Sequence, residues 1–80
     1  MRVQVINTVE VECPDAEPGA RLCFQRCTYP YADAPAETGY RFIWKRPNGA
    51  LQAARGQARI PSRQILHNLI QQAQEAGWFI

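Results

Sequence analysis

Only one segment of this 80-residue chain carries an apolar stripe at helical spacing, and it comes at the end. Ile65, Leu66, Leu69, Ile70, Ala73 and Ala76 fall on one helical face. Ser62 is placed to cap that helix and Gly77 to stop it, which predicts a helix over 62–76. Everything before it reads as strands. In 2–12, Val3, Val5, Val9 and Val11 share one parity, while Arg2, Gln4, Thr8, Glu10 and Glu12 share the other. That alternation predicts a half-buried strand, with a break where Asn7 interrupts the apolar face. Further strands are expected over 21–29, 40–46 and 50–60, with a bulge or bend at Gly56. Loops rich in Pro, Gly and Asp or Glu separate the first three. The prediction is one α+β domain of two layers, a four-stranded antiparallel sheet followed by a C-terminal helix (ββββα). A single helix covers one face of such a sheet, so the other face must meet water, a second subunit or a ligand.

The third and fourth strands join through Pro47-Asn48-Gly49. Proline presets the first turn dihedral, asparagine tolerates the second, and glycine takes the left-handed position. Around this turn, residues 39–63 hold Arg41, Lys45, Arg46, Arg55, Arg59 and Arg63 without one acid, with Tyr40, Phe42 and Trp44 interleaved. Cations that neutralise phosphates beside rings that stack on bases make a surface suited to single-stranded nucleic acid. The assigned binding residues are Arg41, Trp44, Lys45, Arg46, Arg55 and Arg59, with Phe42 as a further stacking ring. Strand parity puts Trp44 with Phe42 and Arg46, and Arg41 with Ile43 and Lys45 on the reverse side. Two plainer readings stand beside this one. Trp44 could be a core ring packed on the helix. The charges, −3 over residues 1–40 and +5 over 41–80 within a net +2, could be strands neutralising one another. Glu10 and Glu12 are then ion-pair partners for Arg21 or Arg26.

No enzyme is expected, since no activated nucleophile, tuned acid–base pair or glycine-rich phosphate loop is present. His67 falls opposite the apolar stripe, as a solvated residue. Cys13, Cys23 and Cys27 include no Cys-x-x-Cys pair. Four residues along a strand set Cys23 and Cys27 about 13 Å apart, too far to share a metal. They are expected as buried, reduced thiols, with no metal and no cofactor. No apolar run is long enough for a membrane helix and the N-terminus has no apolar signal core, so a cytoplasmic location is expected. The closing Trp78-Phe79-Ile80 is unusually apolar and must dock on the domain or on a protein partner. A protein-interaction or accessory module without nucleic acid is the rival reading.

Over 41–64 the chain resembles the single-stranded-DNA-binding domain of the positive cofactor four family of transcriptional coactivators. Arg41, Trp44, Pro47, Gly49, Arg55 and Gln64 carry the resemblance, about a third of the chain. It implies four antiparallel strands and a helix, a homodimer, and curved sheets that bind single-stranded DNA with little sequence preference. In that pattern Trp44 stacks on bases and Arg41 and Arg55 contact the strand. The chain departs from it where Gln52 and Gly56 replace DNA-binding lysines, where the proline near the helix moves to Pro61, and over 1–30, which does not align.

Overall fold

The computed structural model describes residues 3–15, 17–52 and 59–79. Strands β1 (Gln4–Glu12), β2 (Arg21–Tyr29), β3 (Glu37–Lys45) and β4 (Leu51–Gln52) form one antiparallel sheet in the order β1-β2-β3-β4, and helix α1 (Arg63–Glu75) follows. The α+β, ββββα architecture is therefore the one the alternation and the single helical stripe predict.

The two faces of the sheet follow from β2, the most buried strand. Leu22 and Phe24 point to the helix and form the core with Cys13, Leu69, Ala73 and Trp78. Their cross-strand partners lie on the same face: Val11 and Trp44 beside Leu22, Val9 and Phe42 beside Phe24. On the reverse face Cys23, Gln25, Cys27 and Ile43 are also buried, although no helix covers them. Longer neighbours screen these short side chains. Arg41 Nε donates to Gln25 Oε1 at 2.8 Å, Cys23 Sγ donates to Glu10 Oε2 at 3.5 Å, and the Tyr29 ring lies across Gly39.

Several boundaries differ from the sequence expectation, each for a local reason. A bulge between Val5 and Asn7 shifts the β1 register, so Val5 opposes Cys27 on the reverse face while Val9 and Val11 stay under the helix. Shared parity therefore does not give the four valines a shared face. Strand β3 starts at Glu37 rather than 40, because pairing with β2 runs on to Tyr29 opposite Glu37 and the Tyr29 ring covers Gly39. It ends at Lys45 because Arg46 opens the turn. The fourth strand is paired at Leu51 and Gln52, and Arg59 and Ile60 are not strand. Gly56 lies outside the described residues.

The turn has the expected chemistry. The Gly49 amide donates to the Arg46 carbonyl and the Arg46 amide to the Ala50 carbonyl, both at 2.8 Å, with Gly49 at φ +87°. Asn48 Oδ1 accepts from the Ala50 amide at 3.0 Å. At the helix start Ser62 Oγ accepts from the Ile65 amide at 3.2 Å. At its end Gly77, at φ +83°, donates to Gln74, and Trp78 donates to the Ala73 carbonyl. This pair of bonds is a Schellman cap. It turns the chain back so that the Trp78 ring meets Phe24, with centroids 5.5 Å apart. The apolar tail thus docks on its own sheet as far as Trp78. Tyr40 Oη donates to the Trp78 carbonyl at 3.5 Å, and Phe79 tilts against Tyr40 half-exposed. Ile80 lies outside the described residues. Leu66, read as part of the buried stripe, is partly exposed instead, because the helix lies over β1 and β2 rather than β3. No described helix is long and apolar enough to cross a membrane.

Candidate nucleic-acid interface

The helix leaves Trp44 at the uncovered margin of the core. One side of the residue packs into the apolar cluster. The rest borders two clefts. The first, about 220 Å³, is lined by Glu17, Ala20, Trp44, Lys45, Arg46 and Gln52. The second, about 300 Å³, is lined by Asp15, Trp44, Arg59 and Pro61. Trp44 is the residue they share. The second wall comes from the loop between β1 and β2, closed by the Cys13 amide donating to Ala20 and the Ala20 amide to Glu17, each at 2.9 Å. Gly19 in this loop, at φ +85°, sits against Pro47 of the hairpin turn so closely that a Cβ there would lie 3.1 Å from Pro47 Cβ.

The assigned residues divide between two surfaces. Trp44, Arg46 and Arg59 meet around the clefts. Arg46 and Arg59 are exposed, and neither is in an ion pair among the described residues. Phe42 does not join them as an open platform, because it stacks on Phe24 with centroids 4.6 Å apart. Arg41 lies on the reverse face, engaged by Gln25. Lys45 reaches the rim of the first cleft, but its Nζ is 3.6 Å from Glu10 Oε2. Arg55 lies outside the described residues.

Lys45 belongs to a charge cluster on the reverse face. Arg21 bridges Glu10 and Glu12 at 2.9 Å each, and Lys45 adds to Glu10. The mutual neutralisation of strands holds for these groups. Burial works to raise the Glu10 carboxyl, but the Cys23 thiol, Lys45 and Arg21 together outweigh it and hold Glu10 below the usual glutamate range. Burial, followed by the Glu10 charge, pushes the Cys23 thiol up to about 11. All three cysteines are free and buried, and His67 is exposed on the helix. No described group of three or more His, Cys, Asp or Glu side chains is placed to hold a metal ion.

The sequence reading missed the acids of the clefts. Asp15 and Glu17 lie far from Trp44 along the chain, and the pairing of Arg21 and Leu22 with Lys45 and Trp44, together with the Gly19–Pro47 approach, brings their loop to the hairpin. No family model, curated protein or solved structure matches this chain.

Proposed function

We propose that the protein is a small module for single-stranded nucleic acid, DNA or RNA, with little sequence preference. The observation that carries the reading is the half-buried Trp44 between two clefts, one bordered by Arg46 and the other by Arg59. A base enters a cleft and stacks on the indole, and the arginines take the adjacent phosphates. Asp15 and Glu17 turn phosphate away from the opposite walls, so the backbone runs along the arginine side. Arg41 and Lys45, held by Gln25 and Glu10 on the reverse face, contribute little.

The test is fluorescence anisotropy with a labelled oligo-dT of about 20 nucleotides, against duplex of equal length, over a salt series. Two phosphate contacts give a log–log salt slope of about −1.4 for a single strand. Binding that favours the single strand with such a slope supports the reading. Equal binding to both forms, or none at low salt, removes it.

A further inference from the structure

Helix α1 packs on β1 and β2 and leaves the helix-side residues of β3 along its margin. Trp44, Phe42 and Tyr40 form that row, because alternate residues of a strand share a face. Trp44 stands at one end, beside the clefts. At the other end, about 13 Å along the strand at ~3.3 Å per residue, is Tyr40. Its ring stacks on Phe24 with centroids 5.8 Å apart, and Phe79 tilts against it at 5.6 Å. Tyr40 and Phe79 remain 45% and 46% exposed. Arg26 of β2 lies directly across from Tyr40, and across from Asn7 on its other side. The Arg26 Nε is buried and has no hydrogen-bond partner among the described residues, and the side chain is in no ion pair among them. Its neighbours on this face, Asn7 and Tyr40 across the strands and Phe24 and Thr28 along β2, carry no charge. Arg26 thus differs from Arg21, Arg41 and Lys45, each engaged by a protein group. A buried donor without an acceptor is costly, and an anionic oxygen relieves it.

We propose that Arg26, Tyr40 and Phe79 form a second nucleotide subsite, with a base on the aromatic pair and its phosphate on the Arg26 guanidinium, for the same single strand that fills the Trp44 clefts. The proposal rests on the nucleic-acid reading and extends it along β3. Chemistry selects the occupant. An exposed aromatic pair takes a planar face, and an unengaged guanidinium takes an anion. A single strand carries both at every repeat. It also meets the same combination of ring and arginine at Trp44, at the other end of the row. Phe42, between the two, is taken up by Phe24, so the strand is held at two points.

The test uses the full chain and iodouracil-substituted oligo-dT of about 20 nucleotides, long enough to cover both ends of the row. Irradiation couples iodouracil to the ring it stacks on, and mass spectrometry of the digest locates the crosslink. Crosslinks are expected at Trp44 and at Tyr40 or Phe79. A third phosphate contact steepens the log–log salt slope from the two-contact value of about −1.4 to about −2.1, and Arg26→Gln returns it to about −1.4. Phe79→Ala, at a half-exposed position, weakens binding about fivefold or more. Circular dichroism checks that each variant is folded; should Arg26→Gln unfold, the crosslinks and Phe79→Ala decide alone. Crosslinks confined to Trp44, with both variants binding like wild type, overturn this proposal and leave the Trp44 reading standing. No binding of oligo-dT at low salt removes both. A phosphotyrosine peptide that binds through Arg26 while oligo-dT crosslinks at Trp44 alone also overturns it, in favour of a protein ligand.

Discussion

Replacing Trp44 by alanine separates its packing role from its binding role, because the two predict different magnitudes. Truncating a fully buried tryptophan removes about 3–5 kcal/mol. Trp44 is partly buried at the margin of the cluster, so Trp44→Ala should remove the larger part of that but not all of it, roughly 2–3 kcal/mol. An 80-residue domain has about 4–12 kcal/mol in total, so the variant stays folded. With a urea slope near 1 kcal/mol/M, the midpoint falls by about 2–3 M. Stacking of one base is worth about 1–3 kcal/mol, so affinity for oligo-dT falls roughly 5- to 150-fold. Trp78→Ala is the control. It is buried at 6% exposure against Phe24 and away from the clefts, so it should lose the full stability increment. Urea denaturation read by far-ultraviolet circular dichroism and anisotropy on the same preparations give both numbers. If Trp44→Ala loses as much stability as Trp78→Ala, the ring is core. If its affinity is unchanged while it remains folded, the ring is no platform.

Gly77→Ala should lose about 1–2 kcal/mol, because a Cβ is strained at φ +83°, and the Trp78 emission should shift as the tail loosens. Glu10 titrates lower in the folded than in the unfolded chain, so its contribution is present above the ordinary glutamate pKa and lost as pH falls through the folded value. Glu10→Gln should therefore be less stable than wild type at neutral pH, with the gap closing in acid, as followed by urea midpoints against pH. A thiol reagent at pH 8 should find the folded protein nearly inert, with Cys23 pushed up to about 11 and all three thiols buried, and should count three on unfolding.

The signals that carried the fold were local ones. Ser62, Gly77 and Pro47-Asn48-Gly49 each act through their own dihedrals and nearby backbone bonds, and each did what its chemistry requires. Period-two alternation in β1 was legible as a strand. What alternation could not carry is a change of phase. The register shift between Val5 and Asn7 moves Val5 to the reverse face. Gly39 misled in the opposite direction. It looks like a strand breaker, but the Tyr29 ring supplies the cover its missing side chain cannot.

The candidate site was legible only in part, because a basic segment in sequence is not a basic surface in space. Residues 41–46 alternate across the sheet, so Arg41 and Lys45 fall on one face and Trp44 and Arg46 on the other, with Lys45 also reaching the rim of the first cleft. Each pair then takes its character from other strands. Arg41 and Lys45 meet Gln25 and Glu10 and are engaged there. Trp44 and Arg46 border clefts whose opposite walls carry Asp15 and Glu17 from the loop between β1 and β2. The helix position decides the rest. Had α1 lain over β3, Trp44 would be enclosed like Trp78. Because it lies over β1 and β2, an indole is left between two clefts, one bordered by Arg46 and the other by Arg59. That offset is set by long-range packing of Leu69 and Ala73 on Leu22 and Phe24, which no short motif records. The same offset lets Gln72 reach the Glu10 carbonyl.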